Sequence, residues 1–177
     1  IMQKLEGDGL VFVHAGGTLL ERELKAGEEL HVDTGCLVAM TKDVLEFVAG
    51  HDLGRLGAVA AAVTYQDSCH LSHGQKIRSA PRKLLNAVPG VKLREMPGSD
   101  ICCGSAGIYS FVQPDLSAQV LDAKMEDVAR TGADVICTAN PGCTLQLQAG
   151  VVRTGMHAEV RHVIEVLDQA VSAGAAR

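Results

Sequence analysis

Hydrophobic positions fall into two regimes along the chain. Over residues 3–48 they come as short runs, Leu10-Val11-Phe12-Val13, Thr18-Leu19-Leu20, Leu30-His31-Val32 and Leu37-Val38-Ala39-Met40, separated by Gly16-Gly17, Gly27 and Gly35. Short apolar runs punctuated by glycine predict successive β-strands, and no helical period is sustained there. From Ala58 onward the pattern alternates. Ala58–Tyr65, Val91–Arg94 and Ala133–Thr138 read as strands. Gln75–Ala87, with Ile77, Leu84 and Leu85, reads as a helix. Pro114 opens another, with Leu116, Val120, Leu121, Met125 and Val128 at helical spacing. Cys143–Val152 and Val163–Ala173 read as further helices. Strands alternating with helices predict a parallel α/β layer. The expected fold class is α+β overall: a short β-module over residues 1–50, a junction at 51–57, and an α/β domain with a mostly parallel sheet over 58–177. A β-module of about 47 residues buries too little surface to stand alone, so it packs on the second module or is a piece of a larger β-domain.

Composition narrows the function classes. The 177 residues are 47% hydrophobic and 21% charged, which excludes wholesale disorder. Three Phe, two Tyr and no Trp are too few for a base-stacking surface, and a net charge of −5 disfavours a phosphate backbone, so no nucleic-acid partner is expected. No apolar run reaches the ~18 residues of a membrane span. The opening Ile1-Met2-Gln3-Lys4-Leu5-Glu6 lacks the basic-then-apolar pattern of a signal peptide. A cytoplasmic location follows as the expectation. There, clustered cysteines serve metal or redox chemistry rather than a disulfide framework.

Five of the six cysteines fall in the second module: Cys69, Cys102, Cys103, Cys137 and Cys143. Each stands at the end of an apolar strand or the mouth of a Gly-rich turn. Parallel α/β folds align the carboxyl ends of their strands along one edge, so separate loops can bring cysteines together there. Adjacent Cys102 and Cys103 are badly placed for a disulfide to each other, but as thiolates they suit two irons of one cluster. The glycines after them free backbone N–H groups for inorganic sulfide. Cys137 can face either the site or the core, and Cys36 in the β-module reads as a small buried hydrophobe. Four thiolates also suit zinc. Structural zinc sites usually use short Cys-x-x-Cys knuckles, and this chain has none.

The runs Asp67-Ser68-Cys69-His70-Leu71, Cys102-Cys103-Gly104-Ser105-Ala106-Gly107 and Thr138-Ala139-Asn140-Pro141-Gly142-Cys143 resemble the cysteine-rich CCG domain. Proteins sharing that domain include a subunit of heterodisulfide reductase, a subunit of the anaerobic glycerol-3-phosphate dehydrogenase and lactate-utilisation proteins. Over residues 55–175 the wording is nearest the C-terminal domain of glycolate oxidase iron–sulfur subunits, with His73-Gly74-Gln75, Pro81-Arg82-Lys83 and Val160-Arg161-His162-Val163 in support. The resemblance implies a [4Fe–4S]-type cluster ligated by Cys69, Cys102, Cys103 and Cys143, with Cys137 and His70 as weaker candidates. Fuller versions of the motif end in Cys-x-x-Cys, and Asn140 stands at the first of those positions. The resemblance further implies flavoprotein dehydrogenase subunits as partners, FAD on a partner only, and peripheral membrane association through the complex. This chain has no Gly-x-Gly-x-x-Gly fingerprint of its own. The family's ferredoxin-like part and first CCG copy are not seen. Residues 3–50 are similar instead to the altered-inheritance-of-mitochondria (mitochondrial biogenesis) β-domain family.

Three readings follow. The first is an iron–sulfur electron-transfer module of a flavin-dependent 2-hydroxy-acid (glycolate or lactate) dehydrogenase complex, a relay rather than a catalyst alone. The second is a non-enzymatic β-domain interaction or biogenesis protein carrying an inactive cysteine-rich remnant. The third is a zinc-binding scaffold. Among other residues, His73 and His162 read as structural or solvent-facing, and Arg78, Arg82 and Lys83 as a solvated basic face. Glu21 to Asp33 read as a solvated acidic stretch, and Ser105 lacks a nucleophile elbow.

Overall fold

A computed structural model describes Ala49, residues 53–107 and residues 109–175. The predicted N-terminal β-module, with Cys36 and the acidic stretch, lies outside the described residues. The described residues form a parallel sheet of β1 (Ala61–Gln66), β2 (Val91–Leu93), β3 (Val135–Thr138) and β4 (Glu159–His162). Its spatial order is β2-β1-β3-β4. The registers set Ala61 against Val91, Tyr65 against Cys137, and Thr138 against His162. The helices are α1 (Ser79–Ala87), α2 (Tyr109–Val112), α3 (Pro114–Thr131), α4 (Pro141–Thr154) and α5 (Val163–Ala175). A π-helical turn, His70–Gly74, follows β1. Among the described residues no helix is long and apolar enough to cross a membrane.

The α/β layer expected from the strand–helix alternation is present. β1 and β3 are the central strands, and both are buried almost throughout, as parallel strands covered on both faces must be. Side chains alternate across them and build two cores. Val63, Tyr65, Val135 and Cys137 pack with Leu84 and Leu85 of α1 and Val163 and Val166 of α5. On the other side Ile136 packs with Leu121, Met125 and Val128 of α3 and with Cys143 and Leu147 of α4. The chain steps from β1 outward to β2, then crosses back to β3 and continues to β4. The winding therefore reverses between β1 and β3, and the crevice beyond their carboxyl ends is where such sheets bind ligands.

Several boundaries differ from expectation for local reasons. α1 starts at Ser79, not Gln75, because Lys76 has a φ of 63° that no helix accommodates. Ile77 is buried nonetheless, its N–H bonded to Leu71 O at 2.9 Å. α3 starts at Pro114 as expected, but Leu116 is exposed and its buried face is Ser117, Leu121, Lys124, Met125 and Val128. α4 begins at Pro141, capped by Asn140, two residues before the expected start. β4 is a strand the apolar pattern does not show: at the sheet edge its Glu159 is exposed and its other residues are half-buried.

Candidate metal centre

The site is assembled from three segments at the β1/β3 crevice. β1 runs directly into Asp67, Ser68 and Cys69, and β3 runs through Thr138 to Asn140 and α4, where Cys143 is the third residue. Ser68 Oγ and Thr138 Oγ1, 3.3 Å apart, tie the two strand ends together. The loop between β2 and α2 supplies Cys102 and Cys103, and it is fastened at nearly every residue. Asp67 N–H donates to Ser99 O (2.9 Å), Lys124 Nζ to Gly98 O (2.6 Å) and Gln66 Nε2 to Ile101 O (3.0 Å). His73 Nε2 bonds Asp100 O at 2.9 Å, and Ser117 Oγ donates to Gly104 O at 2.9 Å. A loop tied at this density is a rigid support, as a metal site requires.

These ties bring Cys69, Cys102, Cys103 and Cys143 together. Cys69 neighbours Cys102, Cys102 neighbours Cys103, and Cys103 neighbours Cys143 as hydrogen-bonding thiols. Cys69 and Cys102 are partly exposed, while Cys103 and Cys143 are buried. At Gly104 the φ is +93° and the freed N–H donates to Cys102 Sγ at 3.3 Å. Cys137 is excluded from the group. Strand alternation turns it to the opposite core, where burial pushes its thiol up to about 12. Among the described residues no three His, Cys, Asp or Glu side chains are arranged about one point to hold a metal ion.

The four thiols are not equivalent. Burial, then Cys102, pushes Cys69 up; its bond with Cys103, then burial, pushes Cys102 up. At Cys103 the bond with Cys102 lowers the pKa, but Cys143 and burial outweigh it and leave the thiol at about 11. Cys143 alone is lowered, by its hydrogen bond with Cys103 against burial, with help from Thr138. The N-terminus of α4 favours the same thiolate. Cys143 is therefore the thiol of the four whose ionised form its surroundings favour. Asn140 serves that helix end: its Oδ1 accepts the Cys143 N–H at 3.0 Å. Its Nδ2 lies 3.5 Å from His70 Nδ1. His70, half-buried and held below its ordinary pKa by burial, thus sits between the Cys69 turn and the Cys143 helix.

Three supporting groups differ from the sequence reading or escape it. Arg82 is no solvated cation. It grips the buried Asp67 with two bonds, Nη1 to Oδ1 at 2.9 Å and Nη2 to Oδ2 at 2.8 Å, and lies 5.1 Å over the Tyr65 ring. Arg82 also binds Glu95 (2.9 Å), and Arg78 pairs with Asp100 (3.3 Å), so the expected basic face is largely neutralised. Lys124 escapes a reading by apolar period; its only signal is a lysine at i+3 from Leu121 on an otherwise apolar face. His162 proves structural. Its Nδ1 accepts the Ile164 N–H at 3.2 Å while its ring bonds the Ala139 backbone, tying β4 to the loop before α4.

Burial holds His162 below its ordinary pKa against the raising effects of Ala139 and Glu165. The unfolded chain therefore takes up the proton more readily, and stability is present above about pH 6.5 and lost as pH falls below it. Thermal unfolding of the apoprotein should occur at lower temperature at pH 5.5 than at pH 7.5. The gap should narrow in His162→Gln.

With this geometry in view, the comparisons with known proteins divide the chain. Residues 63–148 match the family model of the cysteine-rich domain, CCG. That span contains all four converging cysteines. Residues 1–66 match the mitochondrial biogenesis AIM24 family, and the two matches overlap at 63–66, inside β1. Among curated relatives, the chain is 38% identical over 170 residues to the probable glycolate oxidase iron–sulfur subunit of Bacillus subtilis, covering 90% of this chain and 38% of that protein. It is 33% identical to a subunit of the fumarate reductase (CoM/CoB) of Methanothermobacter marburgensis, covering 95% of this chain and 34% of that one. Lactate utilization protein A of Lysinibacillus sphaericus is 33% identical over 136 residues, 75% of this chain and 59% of that protein. The chain thus spans between 34% and 59% of the length of these relatives.

Proposed function

We propose that this chain is an iron–sulfur electron-transfer module of a flavin-dependent 2-hydroxy-acid dehydrogenase of the glycolate or lactate type. The observation that carries the reading is the meeting of four cysteines from three separately anchored segments at the sheet's switch point. The donor set fits the group. Its members are soft thiols, and a backbone N–H already points at one sulfur, as cluster sites provide. When bound, a [4Fe–4S]-type cluster supplies reversible one-electron storage. Cys69, Cys102, Cys103 and Cys143 would hold it, the Gly104 turn would hydrogen-bond its ligand sulfur, and Asn140 would orient the Cys143 helix.

The names of the relatives, a glycolate oxidase iron–sulfur subunit and a fumarate reductase subunit, support a subunit role with flavoprotein partners. FAD belongs on such a partner. A cytoplasmic location, with peripheral membrane association through the complex, is part of the same proposal, as is the division into modules at 1–50, 51–57 and 58–177. The AIM24 match favours a second reading, in which the β-module leads and the cysteines are an inert remnant. Anaerobic purification separates the two. The electron-transfer reading expects a brown protein whose visible absorption is lost in Cys102→Ser/Cys103→Ser. A colourless wild type, or colour that survives the double substitution, would overturn it.

A further inference from the structure

Lys124 occupies an unusual place for a lysine. It sits on the buried face of α3 between Leu121 and Val128, and the residue is only 2% exposed. Leu121, Met125 and Val128 of that face pack with Cys103 and Cys143 in one core. Burying an ammonium costs several kcal/mol unless it is paired and hydrogen-bonded. Among the described residues the one hydrogen bond of Nζ goes to a neutral acceptor, Gly98 O, at 2.6 Å. The nearby carboxylates are engaged elsewhere: Asp100 pairs with Arg78 at 3.3 Å and Asp127 with Arg130 at 3.2 Å. Their charge still reaches Nζ, Asp127 most strongly, and the thiols of the cysteine group add to it. Burial disfavours the Lys124 ammonium; against it act the fields of Asp127, then Cys103, Asp100 and Cys102, and the field of Lys124 in turn acts on Cys69.

We infer that the Lys124 ammonium is a buried countercharge to the four-cysteine centre and raises its reduction potential. The inference rests on the iron–sulfur reading above. Each electron added to a thiolate-ligated centre adds one negative charge, and a fixed cation in a poorly solvated core favours the more negative state. The centre gains the electron from an external donor and returns it, so no bond is made or broken. Lys124 touches no reacting atom in this structure and is a positioning residue. Its competing role is mechanical, since its bond to Gly98 O also clamps the cysteine loop.

The test separates charge from clamp. Lys124→Gln keeps a donor for Gly98 O without the charge, Lys124→Met keeps neither, and Lys124→Arg keeps the charge. Full-length protein is purified anaerobically, assayed for iron and sulfide, and titrated against redox dyes. At a fixed potential the reduced-to-oxidised ratio should fall about tenfold in both neutral variants, a downshift of about 59 mV for a one-electron couple. Lys124→Arg should stay near the wild type. A folded neutral apoprotein, checked by circular dichroism, that no longer retains iron in either variant would also support the countercharge. Loaded neutral variants at the wild-type potential would overturn it. So would an effect confined to Lys124→Met, or neutral variants that unfold as apoprotein, because each assigns Lys124 to clamp or core. A wild type without iron would instead defeat the underlying reading, and this inference with it.

Discussion

Gly104→Ala is expected to leave the four-stranded sheet standing and to strip the protein of most of its iron. Three features converge on this glycine. Its φ of +93° lies in the region where an L-residue is strained by roughly 1–2 kcal/mol. A Cβ built there would stand 2.6 Å from Ser117 O, a backbone atom of α3 that cannot swing aside. Its N–H is the donor to Cys102 Sγ at 3.3 Å, and its carbonyl is held by Ser117 Oγ at 2.9 Å. Relief comes most cheaply by moving the turn, which carries Cys102 and Cys103 with it. Loss of such supporting contacts typically weakens metal binding about 10–100-fold. Iron content after anaerobic desalting, beside far-UV circular dichroism, checks both halves. Full iron retention would show that the turn does not position the cysteines.

The largest loss of stability is expected from Arg82→Met. Asp67 has a side chain 5% exposed, two residues before Cys69, and Arg82 is its charge partner. Burial alone would raise the Asp67 carboxyl, but the bonds from Arg82 and Ser99 hold it below its ordinary value. Removing one partner of a buried pair leaves an uncompensated charge and costs about 3–5 kcal/mol. Arg82 is 22% exposed, so water screens part of the effect and the lower end, about 3 kcal/mol, applies. Urea denaturation of the apoprotein should show it as a lower midpoint with an unchanged slope. Adding Asp67→Asn should recover most of the loss, whereas Lys83→Met, at an exposed position of the same helix, should shift stability by under about 0.5 kcal/mol. An Arg82→Met protein as stable as the wild type would show that the pair does not fasten the end of β1.

The features of this molecule that are written locally were the ones legible in the sequence. β1 and β3 are covered on both faces, so most of their residues are apolar, and they read as strands directly. The three cysteine runs stand in turns whose residue types are characteristic, and their cysteines follow one another as neighbouring thiols, Cys69 to Cys102 to Cys103 to Cys143. β4 was illegible because an edge strand has a neighbouring strand on one side only and its residues stay partly exposed, and Glu159 and Arg161 interrupt any apolar run. Cys137 was ambiguous for a related reason: alternation fixes its face only once the register with Tyr65 is known. Arg82 and Lys124 were misread or passed over because their partners are distant in the chain. Asp67 is 15 residues from Arg82, and Gly98 is 26 from Lys124. The departure at Asn140 has a physical explanation after the fact. An asparagine before Pro141 is a good helix cap, and it holds the amide of the cysteine three residues on.

The measurement that bears most directly on the central claim is the iron, acid-labile sulfide and zinc content of the full chain, purified and desalted without oxygen. A cluster held by Cys69, Cys102, Cys103 and Cys143 predicts iron and sulfide in equal amounts, about four of each per chain if the centre is a single cubane, with negligible zinc. One zinc per chain without sulfide, or no metal at all, would contradict it.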